Sequence, residues 1–422
     1  MPTRSSSRAV RARSRAMAAV LLAVSLVTAA TVSAAQPPGD DDPGVITAWN
    51  AVAVATIPPS PAAFLNYAFV HLAMYNAVNG ITGEYELYRW DVMAPKKASP
   101  AAAAAAAAHR ILATYFPAAS ANLDAALAAS LANIPDGVRK DQGMRYGLRA
   151  ADRIIALRVG DGRGAAVTVP TGDSAGEWRP TPPAFAGMAT PWLGGVTPLA
   201  VESLTQFGPG APPALGTNLY RAELEEVRLL GAADSATRTA DQTLAAQYFA
   251  EIPFGPMEAG LRDVVTRHGL DISDSARLMA ATNTAIADAI GTAWNAKLRY
   301  MWWRPIHAIH EVDDDGDPAT VADPTWAPLI TNPPYPEWPS GLCSVIGAIT
   351  TTLQRTTGEV DISIPSATKG TRHFDSKASL DQAAIDARIW SGLHFRTSDV
   401  VAIAIGTNVT NYVLDRYFAP TH

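Results

Sequence analysis

The sequence predicts an all-α protein: a bundle of helices joined by long Pro- and Gly-rich loops. Two observations carry this reading. Apolar residues recur at three- and four-residue steps through most of the chain, the spacing of a single helix face, while alternating strand patterns are scarce. The 32 prolines and 30 glycines collect mainly between those segments, where they stop helices rather than interrupt them.

The elements follow in order. Ser99-Pro100 reads as an N-cap followed by proline at the first helical position, and the alanine-rich run Ala101–Tyr115 continues as a strong helix former. Ala121–Ala132, Arg145–Arg158 and Ala222–Leu230 have amphipathic spacing. Ser275–Trp294 reads as a long, buried, apolar-rich helix. Leu342–Leu353 reads as a helix entered from the loop at Ser340-Gly341, and Leu380–Trp390 and Ser398–Tyr417 complete the set. Gly160–Pro213 is the longest weakly patterned stretch: a linker, a lid or a loop packed across a site. The expected organisation is a signal peptide at 1–34, an N-terminal helical region at 35–165, a loop-rich connection at 166–215 and a C-terminal helical catalytic region at 216–422.

The leader has Arg4, Arg8, Arg11, Arg13 and Arg15, then an apolar stretch from Ala16 to Thr28, then Val32-Ser33-Ala34 as a small-residue cleavage site. With no Arg-Arg pair, it implies export by the general secretory route and a secreted, extracellular protein. The formal charge is −6, and loss of the leader arginines makes the mature chain more acidic still. That argues against nucleic acid as a partner, because phosphate backbones need a basic field. No segment after the leader reads as a membrane span, so no integral membrane association is expected. Cys343 is the only cysteine, so stability rests on a core and not on an intrachain disulfide. A homo-oligomer is compatible with all of this.

Three separated stretches carry the chemistry: Lys297–Pro305 (KLRYMWWRP), Pro339–Gly341 (PSG) and Arg388–His394 (RIWSGLH). Lys297 and Arg304 are expected two helical turns apart on one face, aimed at one anion. Arg304 can grip two oxygens at once. Ser340 and Gly341 offer a hydroxyl and backbone amides at a helix start, where the dipole favours an anion. Gly392 can end a helix and place His394 in a bend. Each stretch alone has an ordinary alternative: a solvated cationic face, an N-cap serine, a core histidine. Trp302-Trp303 beside Arg304 make the first of these too apolar for a solvated face.

Together the spacing Lys-x6-Arg-Pro, Pro-Ser-Gly and Arg-x5-His resembles the signature of the vanadium-dependent haloperoxidases and the type 2 phosphatidic acid phosphatase (acid phosphatase) superfamily. Trp49-Asn50, His71–Asn79, Ser130–Arg158 and Phe185–Gln247 are also similar to secreted bacterial haloperoxidase-type proteins. The resemblance implies a helical-bundle haloperoxidase/acid-phosphatase-like fold. It further implies vanadate held by His394 as axial ligand, with Lys297, Arg304, Arg388, Ser340 and Gly341 around its oxygens. Trp294 and Tyr335 would be pocket aromatics, or core. One position departs from the signature. Where the family has Pro-Ser-Gly-His, with a histidine that moves protons, this chain has Leu342. His307 or His310 could stand in for it, though a surface or capping role is the simpler reading. Glu311, Asp313, Asp315 and Gly316 open like a calcium loop, but Ala322 stands where the closing carboxylate belongs. The segment therefore reads as a solvated acidic turn, with no calcium expected.

The leading functional expectation is a peroxidase-type enzyme that uses hydrogen peroxide to oxidise a halide or another small nucleophile. The second is a secreted acid phosphatase in which His394 attacks phosphorus of a small phosphate ester. The third is a non-catalytic oxyanion-binding protein, which Leu342 favours.

Overall fold

The computed structural model describes residues 39, 41–311 and 320–421, which form one compact unit. The leader at 1–34 and most of the acidic turn, including Asp313 and Asp315, lie outside the described residues. The expected all-α architecture is present. The helices are α1 (Gly44–Thr56), α2 (Ala63–Thr82), α3 (Pro100–Tyr115), α4 (Ser120–Ala132), α5 (Val138–Leu157), α6 (Asn218–Gly231), α7 (Ala240–Glu251) and α8 (Gly255–Arg267). They continue as α9 (Ile272–Tyr300), α10 (Pro305–His310), α11 (Gly341–Thr356), α12 (Lys377–Trp390) and α13 (Arg396–Arg416). A two-stranded antiparallel hairpin, β1 (Ile362–Pro365) and β2 (Thr371–Phe374), pairs Ile362 with Phe374 and lies against α8.

Local chemistry explains the helix starts. Ser99 Oγ accepts from Ala102 N–H at 3.2 Å, and Pro100 sits where its missing N–H costs nothing. Thr239 caps α7 with a reciprocal capping box to Gln242. Both α7 and α8 go beyond the helices expected from the sequence, as does the hairpin.

The core is built on α9, which is buried on nearly all faces and packs against α2, α11 and α13. The alanines of α3 are buried because α5 lies directly on them. A Cβ at Gly147 would collide with the Ala103 carbonyl, so only glycine permits that approach. On the other side, α11 and α13 cross backbone to backbone at Gly347 and Gly406. That crossing brings the N-terminal ends of α11 and α13 together, and Ser340 N–H donates to the Ser398 carbonyl at 3.3 Å.

The loop between α5 and α6 packs onto α9. Asp288, on α9, accepts from the backbone N–H groups of Leu199, Ala200 and Val201 at 2.7, 2.7 and 2.9 Å. Among the described residues no helix is long and apolar enough to cross a membrane.

A buried polar cluster ties α1, α2 and α8 together. Asn50 Nδ2 donates to Glu258 Oε2 at 2.6 Å and lies 2.8 Å from His71 Nε2, and Arg262 donates to Asn50 Oδ1. Burial pushes Glu258 up to about 7, and burial, then Arg262, pushes His71 down to about 3. A carboxyl with a raised folded pKa keeps its proton where the unfolded chain has lost it. Its contribution therefore destabilises the fold as pH rises from about 4.5 to about 7. His71 acts oppositely over its own, lower window. Glu258→Gln keeps an acceptor for Asn50 and removes the titration. This variant is expected to lose less stability than the parent between those pH values in urea unfolding; equal pH slopes would contradict that.

Candidate functional site

The site lies where the end of α9 meets the starts of α11 and α13. Lys297, in the last turn of α9, is fully buried, and its Nζ donates to the carbonyls of Pro336, Glu337 and Pro339 at 2.6, 3.0 and 2.7 Å. Three acceptors match the three N–H groups of an ammonium. Burial, then Arg304, pulls the Lys297 pKa well down. Lys297 thus pins the loop that delivers Ser340, and reaches an anion through its charge rather than a free N–H.

Arg304 is not on the same helix as Lys297, as the spacing had suggested. Met301 adopts a left-handed conformation (φ 44°, ψ 42°) and closes α9. Arg304 is then the N-cap of α10, followed by Pro305. The loop before α6 holds this turn, with Trp178 N–H on the Met301 carbonyl and Trp303 N–H on the Gly176 carbonyl. The two cations still converge. Arg304 Nε donates to the Tyr335 carbonyl at 2.9 Å, and Nη1 to the Leu393 carbonyl at 2.8 Å.

Arg388 comes from the last turn of α12. Gly392 (φ 75°) ends that helix, with Leu393 N–H bonded to the Arg388 carbonyl and Gly392 N–H to the Ile389 carbonyl, a Schellman closure. His394 follows in the bend. Arg304 Nη1 lies 3.1 Å from His394 Nε2 and can only donate, so Nε2 is the acceptor and the proton of a neutral imidazole sits on Nδ1. Nδ1–H faces Glu337 Oε1 at 2.8 Å, and Phe395 N–H donates to the same oxygen at 3.1 Å. Burial and the three cations keep His394 well below its usual pKa, so Nε2 stays unprotonated, with its lone pair accepting from Arg304 until a ligand takes that place.

Glu337 was not among the residues expected from the sequence. It is a lone acid in a Pro-rich loop, without a local pattern to mark it. Burial raises it to about 7 against the opposing pull of Arg304 and Lys297. Asp399 is buried as well, and burial lifts its pKa well above the carboxylate range.

Donors without acceptors remain. Arg304 Nη2, Arg388 Nε and Ser340 Oγ are buried and unpartnered. Ser340 is the N-cap of α11, yet its side chain makes no capping bond. Its hydroxyl faces the buried Asp399 carboxyl and Cys343 thiol, with which a bound anion would compete for it. Buried orphan donors are costly. Three in one place, beside an imidazole lone pair and a helix start, suit an oxyanion with several acceptor oxygens. Vanadate and phosphate both fit that donor set.

Trp294 and Tyr335 pack against each other beside Lys297. Their rings are 4.8 Å apart, and Lys297 Nζ lies 5.5 and 5.0 Å from their centroids. Trp294 covers Gly341 so closely that a Cβ there would lie 2.9 Å from the indole. Leu342 lines a mostly apolar cavity of about 70 Å³ that also has Gly341, Trp294, Tyr335 and Arg388 in its wall. His307 is not in the wall of that cavity. It lies on α10, pushed down to about 4 by burial and then by Arg179, His310 and Arg304. His310 is occupied with the Trp326 carbonyl at 2.7 Å. Glu311, at the start of the acidic turn, pairs with Arg179.

Residues 277–421 match the family model described as the VCPO second helical-bundle domain. That span contains Lys297, Arg304, Ser340, Gly341, Arg388 and His394. The chain is similar to the crystal structure of a bacterial vanadium-dependent iodoperoxidase, with a TM-score of 0.74 and 22% identity over 89% of this chain and 96% of that one. It is also similar to the holo form of a bacterial vanadium-dependent chloroperoxidase (TM-score 0.67, 15% identity, 86% and 93% covered). The apo form gives a TM-score of 0.68 at 15% identity, with 85% and 94% covered. No curated protein sequence matches the chain.

Proposed function

We propose that this chain, which has the vanadium-haloperoxidase fold, is a secreted peroxidase-type enzyme. It would hold vanadate at His394 and use hydrogen peroxide to oxidise a halide or another small nucleophile. The observation that carries this is the set of unpartnered donors, Arg304 Nη2, Arg388 Nε and Ser340 Oγ, grouped with the lone pair of His394 Nε2. Bound vanadate supplies a Lewis-acidic centre that activates peroxide.

The protein's own part can be stated residue by residue. His394 Nε2 would hold the vanadium, and Glu337 fixes the histidine's tautomer and ring plane through Nδ1, as outer-shell carboxylates do for metal-binding histidines. Arg304, Arg388, Ser340 and the Gly341 amide would donate to the oxygens of the bound anion. Lys297 adds charge and holds the loop. Leu342 can neither give nor take a proton, so proton movement to and from peroxide falls to solvent or to the oxyanion itself.

The test is purified mature protein, loaded with vanadate, assayed for peroxide-dependent oxidation of iodide and bromide. Turnover that requires both vanadate and peroxide is expected. Hydrolysis of aryl phosphates by the vanadate-free protein, with no peroxide-dependent oxidation, would favour the phosphatase reading instead. Tight vanadate binding with neither activity would favour a pure binding protein.

A further inference from the structure

The C-terminal end of α8 meets the hairpin through polar groups that the oxyanion cradle does not use. A Cβ at Gly260 of α8 would lie 3.1 Å from Ile362 and Ile364, so the helix rests directly on the buried face of β1. That packing carries Arg267 and His268, the C-cap of α8, to the chain just before β1. Arg267 fixes the junction. Its Nη1 donates to Asp361 Oδ2 and its Nη2 to the Asp361 carbonyl, both at 2.6 Å, while Nε donates to Asp263 Oδ2 at 2.7 Å.

Asp361 Oδ1 is the oxygen that Arg267 leaves over. His373 Nε2 lies 3.4 Å from it. One ligand atom from each of His268, Glu359 and Asp361 lies within 4.8 Å of the other two. His373 reaches the group from β2. It pairs across the hairpin with Ser363, whose Oγ is 3.2 Å from His373 Nδ1. A hydroxyl that accepts from Nδ1–H leaves the Nε2 lone pair facing Asp361, as outer partners do for metal-binding histidines. The hydrogen bond from Arg267, above all, holds the Asp361 carboxyl below its usual range, so it is ionised. Glu359, Asp361 and Asp263 together outweigh the one arginine, and local charge favours a cation.

The donor types select among cations. Calcium and magnesium take sets of six or more oxygens. Two imidazoles with two carboxylates suit zinc, which in structural sites takes four such ligands. We propose that His268, Glu359, Asp361 and His373 form a zinc site that ties the end of α8 to the β1–β2 hairpin. Zinc bonds of about 2.0–2.2 Å require the four atoms to draw together by small side-chain rotations. Partial exposure permits these, with the Asp361 and His373 side chains 33% and 53% exposed. The donors come from three separate parts of the chain, so the site would staple elements that are distant in sequence.

The experiment is calorimetric titration of the purified, chelator-treated protein with zinc sulfate, and in parallel with calcium and magnesium chloride. Thermal unfolding is followed with and without each ion. Zinc is expected to bind and to raise Tm, because an ion held only by the folded form stabilises it. Calcium and magnesium should do neither. Glu359→Ala and, separately, His373→Ala change exposed side chains and should leave the fold intact. Each should weaken zinc binding by about tenfold or more, since even outer-shell partners are worth about 10–100-fold, and should cancel the rise in Tm. Absence of zinc binding, a zinc affinity that neither variant changes, or calcium binding as tight as zinc would overturn the proposal.

Discussion

His394→Ala is expected to reduce turnover to the uncatalysed background, a loss on the order of 10⁶-fold if the imidazole is the covalent or coordinating group. Far-ultraviolet circular dichroism should stay helical. The substitution leaves Glu337 without its Nδ1 partner, but burial already holds that carboxyl up at about 7. It can remain protonated, with the Phe395 N–H still on Oε1. No buried charge is stranded at or below neutral pH, so the fold should survive. Retained turnover would mean that another residue performs the central step.

Arg304→Ala carries the next largest effect, on affinity. The guanidinium bonds the Tyr335 and Leu393 carbonyls, meets His394 Nε2 and keeps Nη2 free for a ligand. Truncating one partner of a buried charged contact typically costs about 2–5 kcal/mol, and every ~1.4 kcal/mol is tenfold in affinity. Vanadate and phosphate should therefore each bind at least tenfold more weakly to the variant in titration calorimetry. Arg304→Lys should recover part of the loss, because it restores charge without the two-pronged fork. Affinity within threefold of the parent for Arg304→Ala would show that the anion sits elsewhere.

Much of this arrangement was legible in the sequence because it rests on local rules. Ser99-Pro100 announces α3, and Gly392 announces the bend that carries His394. The three motifs, though far apart in the chain, each contain residues whose chemistry suits one anion. What stayed hidden depends on tertiary contacts. The end of α9 at Met301 has no sequence signal: a methionine in a left-handed conformation is held there by backbone bonds from the loop around Gly176 and Trp178. Arg304 therefore had to be expected on the wrong element. Glu337 was invisible for a similar reason, since its partner lies 57 residues away. His307 could be suggested by proximity in sequence to Arg304, but its nearness to Arg179, far away in the chain, could not. The hairpin of β1 and β2 is too short for an alternating pattern to stand out.

One cradle for one tetrahedral anion makes vanadate and phosphate competitors. Calorimetric titration of the purified protein with vanadate, repeated at increasing phosphate, should show a single site whose apparent vanadate affinity falls in proportion to the phosphate present. Vanadate affinity that does not change with phosphate, or the absence of binding by either ion, would contradict it.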